Sequence, residues 1–106
     1  MKVFKLNQMT RGWFVGDFLP TAYNTKECEI AVMKYKAGDN EKKHVHKVAS
    51  ELTVVVKGKV MMNDIEYDEG DIILMEPGEA TDFKAITDAM NVVVKVPSVK
   101  GDKYLV

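Results

Sequence analysis

Short runs of β-prone residues, interrupted at close intervals by turn-forming residues, are the feature that most restricts how this 106-residue chain can fold. The runs are rich in Val, Ile, Phe and Tyr, and no long stretch between them has a helical period. Ten strands are predicted: Val3 to Leu6, Trp13 to Val15, Glu29 to Tyr35, Lys43 to His46, Leu52 to Val56, Val60 to Met62, Ile65 to Tyr67, Ile72 to Met75, Thr81 to Ile86 and Asn91 to Val96. So many short strands predict an all-β sandwich or a small closed antiparallel barrel, because closure removes exposed strand edges.

The turns between these strands are predicted from residues that tolerate unusual backbone angles. Asn63-Asp64 separates two β-prone runs and is typical of a tight hairpin, since both residue types accept a positive φ. Glu69-Gly70-Asp71 and Pro77-Gly78 indicate two further reversals of the chain.

Composition and charge limit the partners of the chain. Hydrophobic residues make up 46% and charged residues 29%, which is ordinary for a folded domain, and the length suits a single domain over residues 1–106. The formal net charge is −1 and both signs are interspersed, so we expect no binding to nucleic acid. The apolar runs are too short to cross a bilayer and the first residues lack a signal-peptide core, so we expect no membrane association. A single cysteine, Cys28, excludes an intrachain disulfide and favours the cytoplasm.

The strand from Leu52 to Val56 carries information about assembly. Leu52, Val54 and Val56 face one way and Thr53 and Val55 the other, so both faces are largely apolar. A strand buried on both sides needs a second layer, which the N-terminal segment, an opposing sheet or a partner subunit could supply. We expect a homodimer.

The only two histidines of the chain, His44 and His46, lie two residues apart. Side chains alternate between the faces of a strand, so this spacing directs both imidazoles to the same face. Glu51 follows at an odd offset, and a turn over residues 47–50 lets its carboxylate return from a neighbouring strand toward the two rings. Two neutral nitrogens and one carboxylate form a donor set for a divalent transition metal, with coordination positions left open.

The spacing of these residues resembles the first motif of the cupin superfamily. That motif runs Gly, five residues, His, any residue, His, three or four residues, Glu, six residues, Gly. The chain matches all five anchors: Gly38, His44, His46, Glu51 and Gly58. The resemblance implies a small antiparallel double-stranded β-helix, the jelly-roll or RmlC-like barrel. It also implies a metal inside that barrel, bound by the two histidines, the glutamate and a third histidine from a second motif.

The second cupin motif is only partly present. Aligned on Gly70 and Gly78, the chain has Pro77 one position after the expected proline, and Thr81 replaces the third histidine. The resemblance therefore implies at most three strong protein ligands, His44, His46 and Glu51. The hydroxyl of Thr81 could give a weak oxygen contact or hold a bound water.

The identity of the metal stays open. Two histidines and one carboxylate suit Fe(II), and they equally accept Mn, Ni or Zn. The alternative is that metal binding has been lost and the three side chains form a hydrogen-bonded polar cluster. The residues expected to line a ligand pocket are Thr81, Phe83, Tyr35 and Met75, although a barrel would also need the last three to fill its interior.

Two functions are consistent with these residues. In the first, the chain is a metal-dependent enzyme that acts on a small organic molecule, with the metal as Lewis acid or oxygen activator. In the second, the barrel binds a sugar or an organic acid without turnover, with or without a metal, because fold alone does not decide function. No general acid or base beyond the ligands is evident, so catalytic residues are not assigned.

Overall fold

Two β-sheets lie face to face in the computed structural model, which describes residues 1–106. The strands are β1 (Trp13–Gly16), β2 (Tyr23–Asn24), β3 (Glu29–Tyr35), β4 (Asn40–Val45), β5 (Ser50–Lys57), β6 (Val60–Met62), β7 (Ile65–Tyr67), β8 (Ile72–Met75), β9 (Ala80–Ala85), β10 (Ala89–Val96) and β11 (Tyr104–Leu105). Two short 3₁₀ helices, Leu6–Gln8 and Thr10–Gly12, precede them. Neither helix is long and apolar enough to span a membrane.

The connections between strands repeatedly cross from one sheet to the other. One sheet has six strands in the order β2-β1-β3-β10-β5-β8, and the other has five in the order β11-β4-β9-β6-β7. All strand pairs are antiparallel except β1 with β2. This arrangement confirms the predicted all-β class and the double-stranded β-helix.

Most of the predicted strands are present, and four have the predicted bounds: β3, β6, β7 and β8. The prediction of a strand over Val3 to Leu6 was wrong, because no neighbouring strand pairs with this segment and a 3₁₀ helix begins at Leu6. Strands β2 and β11 were missed. Each contains only two residues, which is too short to show a period of two in the sequence.

The hairpin between β6 and β7 follows the sequence prediction. Asn63 and Asp64 have φ values of 50° and 63°, the pair of positive angles that a type I′ turn requires. Gly58 at the preceding turn has a φ of 85°, and a Cβ placed there would lie 2.2 Å from the carbonyl oxygen of Asp88. Only glycine therefore suits this turn.

The space between the sheets is divided into an apolar half and a polar half. The apolar half holds one cluster of seven buried side chains: Val55, Val60, Met62, Met75, Phe83, Ala85 and Ala89. Strand β5 shows the division along its length, since Glu51, Thr53 and Val55 all face inward but only Val55 joins the cluster. The polar half begins where the inward side chains change from aliphatic to hydrogen-bonding types.

Candidate functional site

The polar half of the barrel brings together side chains from four strands. His44 on β4 lies opposite Thr81 on β9, and both are buried. Glu51 and Thr53 on β5 and Asn91 on β10 face them from the other sheet and are also buried. The sequence predicted that Glu51 would return toward the two rings from a neighbouring strand. In the structure it reaches them from the opposing sheet.

Both imidazole rings are held by backbone carbonyl groups. Nδ1 of His44 lies 3.0 Å from the carbonyl oxygen of Lys42, and Nδ1 of His46 contacts the carbonyl oxygen of Asp102. A carbonyl oxygen can only accept a hydrogen bond, so the proton of each neutral ring is on Nδ1. Each Nε2 consequently carries a free lone pair. The ring centroids are 5.3 Å apart, at an interplanar angle of 76°.

Glu51 lies beside the free nitrogen of His46. Oε1 of Glu51 is 3.3 Å from Nε2 of His46, and both side chains are about nine-tenths buried. The nitrogen nevertheless has no well-aligned hydrogen-bond partner. The neighbouring Glu51 raises the pKa of His46, and the Asp102 carbonyl adds to this effect, against burial and the charge of Lys95.

Asp102 was not singled out from the sequence. Its carboxylate accepts hydrogen bonds from the backbone N–H groups of Lys47, Val48 and Ala49 at 2.8 to 3.2 Å. Burial would raise the pKa of Asp102, but these three donors outweigh it and lower the pKa. The C-terminal segment thus fixes the turn that follows His46 within the same chain.

The three predicted metal ligands line two different cavities. His44 and Glu51 line one cavity of about 100 Å³, whereas His46 lines an adjacent cavity of about 260 Å³ on the side of the C-terminal segment. No three His, Cys, Asp or Glu side chains are arranged to hold a metal ion as they stand. The chemistry of the donor atoms nevertheless fits a transition metal. Nε2 of His46 is buried and unpartnered beside the Glu51 carboxylate, and the neighbouring ring of His44 also has a free Nε2.

Three of the four residues predicted to line a ligand pocket do line the smaller cavity: Thr81, Phe83 and Tyr35. The ring centroids of Tyr35 and Phe83 are 4.4 Å apart, so the two rings form one wall. The fourth, Met75, is in the apolar cluster and does not line this cavity. Its position on β8, at the edge of its sheet, directs it into the core beside Glu51.

Burial also defines what the phenol of Tyr35 can do. Burial raises the pKa of Tyr35 above its usual range, and the carboxylates of Glu41, Glu51 and Asp39 add to this effect. The phenol therefore keeps its proton at physiological pH. It can donate a hydrogen bond into the cavity but cannot serve there as a base.

Further cavity residues were missed from the sequence because their chemistry shows no local pattern. Thr53 and Asn91 lie among aliphatic residues on predicted strands, and Arg11 and Lys95 are isolated cations. Oδ1 of Asn91 is buried and has no hydrogen-bond partner. The one available signal was that Thr53 and Asn91 each interrupt a run of aliphatic residues. A polar side chain at an inward strand position needs a hydrogen-bond partner, so such an interruption indicates a polar site.

Comparison with known proteins shows likeness at the level of structure only. No family model matches the sequence, and no curated protein matches it. A protein with a double-stranded β-helix domain from Klebsiella pneumoniae is 23% identical over 76% of this chain and 71% of its own, with a TM-score of 0.69. An RmlC-like cupin protein from Desulfovibrio desulfuricans is 23% identical over 71% of this chain and 76% of its own, with a TM-score of 0.62.

Several enzymes are among the similar structures. The DMSP lyase DddQ from Ruegeria pomeroyi is 15% identical over 88% of this chain and 49% of its own, with a TM-score of 0.72. At these identities the likeness concerns the path of the backbone, and each activity belongs to the protein in which it was found.

Proposed function

We propose that this chain, a cupin by its fold, binds a divalent transition metal through His44, His46 and Glu51 and a small organic ligand in the adjoining cavity. One observation carries the proposal. Both rings are anchored through Nδ1 on backbone carbonyls, which leaves both Nε2 lone pairs free, and the Nε2 of His46 is buried beside the Glu51 carboxylate without an aligned partner. Metal-binding histidines are commonly oriented by just this kind of contact on the second nitrogen.

The residues around the metal ligands support a role in holding a small polar molecule. A bound metal would supply a Lewis acid that polarises an oxygen of the ligand. The hydroxyl of Thr81 donates to the carbonyl oxygen of Asp82 at 2.8 Å, so its lone pairs remain free to accept a hydrogen bond from the ligand or from water. Tyr35 contributes a protonated phenol, and with Phe83 it forms an aromatic wall along one side of the cavity.

A metal-free binding protein is the second candidate. His46 and Glu51 form an ion pair when the ring is protonated, and the raised pKa of His46 favours that state. The three side chains would then form part of a polar pocket for a sugar or an organic acid. The similar structures include both enzymes and proteins without a stated activity.

Metal titration distinguishes the two candidates. We expect metal-free protein to bind one equivalent of Co(II) or Zn(II), followed by visible absorption of Co(II) and by calorimetry. Glu51→Gln should weaken binding by about tenfold or more, because it replaces an anionic ligand with a neutral amide. His46→Ala should do the same while the circular dichroism spectrum stays that of a folded β protein.

Glu41→Gln is the matched control for Glu51→Gln. Glu41 also lines the cavity, but it is not one of the proposed ligands, its side chain is 34% exposed, and its carboxylate lies 3.9 Å from Nζ of Lys103. The Glu41→Gln variant should therefore bind the metal with nearly unchanged affinity. Equal losses in the two variants, or no stoichiometric metal in the wild-type protein, would leave the metal-free candidate.

We also propose that the chain forms a homodimer through the outer face of the six-stranded sheet. Two rows of aliphatic side chains cross four strands in register: Ile72, Val54, Val92 and Val32 in one row, and Leu74, Leu52, Val94 and Ile30 in the other. Ile72 and Leu74 are exposed, which is unusual for a contiguous aliphatic surface of a monomer. The rows continue to Lys34 and Lys57 at one end, and Glu76 follows β8 at the other.

A twofold axis perpendicular to the strands would place the aliphatic rows of one copy over those of the other. A second copy of the chain is therefore the occupant we infer. A cytoplasmic location, favoured by the single cysteine, stays a prediction.

A further inference from the structure

We propose that the ligand of the cavity is a small hydroxycarboxylate. Its carboxylate is bound by Arg11 and Lys95, and its hydroxyl group donates a hydrogen bond to Oδ1 of Asn91. This inference rests on the proposed function in that it concerns the same cavity. It does not require the metal.

The charged side chains that line the cavity favour an anionic ligand. Three cations, Arg11, Lys95 and Lys103, line it together with two carboxylates, Glu41 and Glu51. Glu41 lies 3.9 Å from Lys103, so these two charges offset each other, and Glu51 is the one carboxylate left against the other two cations. Arg11 and Lys95 have no carboxylate within ion-pair distance. The cavity is thus positive in a chain whose net charge is −1.

Arg11 is the only arginine of the chain and has an unusual backbone conformation. Its φ of 48° and ψ of 34° are in the left-handed region, which is uncommon for a residue with a long side chain. The adjacent Gly12 packs against β3 so closely that a Cβ would lie 2.0 Å from the carbonyl oxygen of Val32. The turn is therefore held against the sheet, and it places a planar guanidinium, suited to bidentate binding of a carboxylate, at the cavity.

Lys95 is placed on the inner side of the sheet by its register on β10. It lies opposite Glu51 on one side and Glu29 on the other, yet its ammonium pairs with neither. Instead Nζ lies 4.8 Å from the ring centroid of Trp13, which also lines the cavity. An aromatic face beneath the ammonium keeps it in place and leaves its N–H donors free for an anion.

Asn91 supplies an independent observation that points to a hydroxyl group. The side chain is 1% exposed, it lines the cavity, and its Oδ1 has no hydrogen-bond partner. A buried acceptor without a donor costs about 1–3 kcal/mol, and a ligand O–H would satisfy it. The cavity volume of about 100 Å³ is well below the range of about 300–1,000 Å³ that suits drug-sized ligands, so the ligand is small.

The experiment uses matched small probes on the full chain, followed by NMR chemical-shift titration. The hydroxycarboxylates are lactate, glycerate and malate; propionate lacks the hydroxyl group of lactate, and 1,2-propanediol lacks its carboxylate. We expect at least one hydroxycarboxylate to bind, and the corresponding probe without a carboxylate to bind at least about tenfold more weakly. If no hydroxycarboxylate binds more tightly than propanediol, the proposal is wrong.

Three variants test the assigned residues. Arg11→Gln and Lys95→Met should each weaken binding of the hydroxycarboxylate by about tenfold, whereas Lys59→Gln, which removes an exposed cation outside the cavity, should not. Asn91→Leu should abolish the preference for lactate over propionate and leave the protein folded, because it replaces a buried unpaired acceptor with a side chain of similar volume. Unchanged affinities in the Arg11 and Lys95 variants, or an unchanged preference in the Asn91 variant, would overturn the proposal.

Metal-free and Zn(II)-loaded protein should be titrated in parallel, so that the two proposals can fail separately. If a hydroxycarboxylate binds in an Arg11-dependent way but the protein takes up no stoichiometric metal, this inference holds and the metal site is wrong. Stoichiometric metal with no preference for an anion would retain the metal site and remove this inference.

Discussion

At the scale of single residues, the site depends on which atom of each polar side chain already makes a hydrogen bond to the backbone. His44 and His46 use Nδ1 on backbone carbonyls, and Thr81 uses its proton on the backbone of Asp82, so the remaining lone pairs face the interior. Asn91 has an acceptor to spare. A pocket lined by unsatisfied acceptors and free cations selects a ligand that brings donors and negative charge.

Thr81→His tests whether the third histidine position of the motif is spatially intact. Thr81 lies directly opposite His44 in the pairing of β4 with β9 and is buried on the same face. A histidine there would add a fourth ligand, and we expect metal affinity to rise by about tenfold or more. Calorimetric titration of the folded variant measures this. Unchanged affinity would show that position 81 does not reach the metal.

Tyr35 is expected to resist ionisation in the folded protein. Its pKa is raised above the ordinary value of 10.0, whereas in the unfolded chain it would ionise near that value. The unfolded state therefore loses this proton first, and the contribution of Tyr35 to stability falls as the pH rises above about 10. Absorbance titration at alkaline pH should show one tyrosine that ionises only on unfolding, and Tyr35→Phe should remove it. Four tyrosines that all ionise in the folded state would contradict this.

At the scale of elements, strand alternation and strand direction together produce the two halves of the barrel. The inward positions of β5 change from Glu51 and Thr53 to Val55, and those of β9 from Thr81 to Phe83 and Ala85. The aliphatic ends close the core, and the polar ends collect at the opposite side. The C-terminal segment completes the polar end, because β11 pairs with β4 at His44 and Val45.

Asp102→Asn tests the C-terminal segment as a structural element. The Asp102 carboxylate receives three backbone N–H groups, and a hydrogen bond to a charged group contributes about 1.5–3 kcal/mol. We expect the variant to lose about that much stability at neutral pH, measured by urea unfolding. Because the folded pKa of Asp102 is below its ordinary 3.8, this stabilisation is present above that value and disappears as the pH falls through the folded pKa.

Asp64→Asn provides the matched control for the Asp102 variant. Asp64 is an exposed residue of the β6–β7 hairpin with a positive φ, which asparagine also accepts. The control should have nearly wild-type stability at every pH. A loss of equal size in both variants would contradict the role assigned to Asp102.

At the scale of the whole molecule, the six-stranded sheet has an aliphatic outer face that the chain itself covers only in part. The N-terminal segment packs near Val32 through Phe4, Leu6 and Met9, but it does not reach the β8 edge. The exposed remainder is the surface assigned to the homodimer.

Leu74→Lys should dissociate the dimer, because it places a charge within the aliphatic rows. Sedimentation equilibrium at micromolar concentration measures the mass of the variant and of the wild-type protein. Ile65→Lys is the control, since Ile65 is an exposed aliphatic residue on β7 of the other sheet. A wild-type monomer, or equal dissociation of both variants, would contradict the proposed interface.

The sequence by itself determined the features that arise from neighbouring residues. β-Prone runs between turn-forming residues and the positive-φ pair Asn63-Asp64 predicted the strands and the hairpin, because both depend on local geometry. The number of short strands predicted the all-β class. The motif also placed His44, His46 and Glu51 on inward-facing positions. It could not show that the carboxylate arrives from the opposing sheet.

Only the tertiary structure decided what surrounds these residues. His46 and Asp102 are 56 positions apart in the chain and meet because β11 pairs with β4. Arg11 and Lys95 reach one cavity from a 3₁₀ turn and from β10. Contacts of this kind leave no periodic or spacing signal, since they depend on the packing of whole strands. They are also the contacts that orient the histidines and give the cavity its charge.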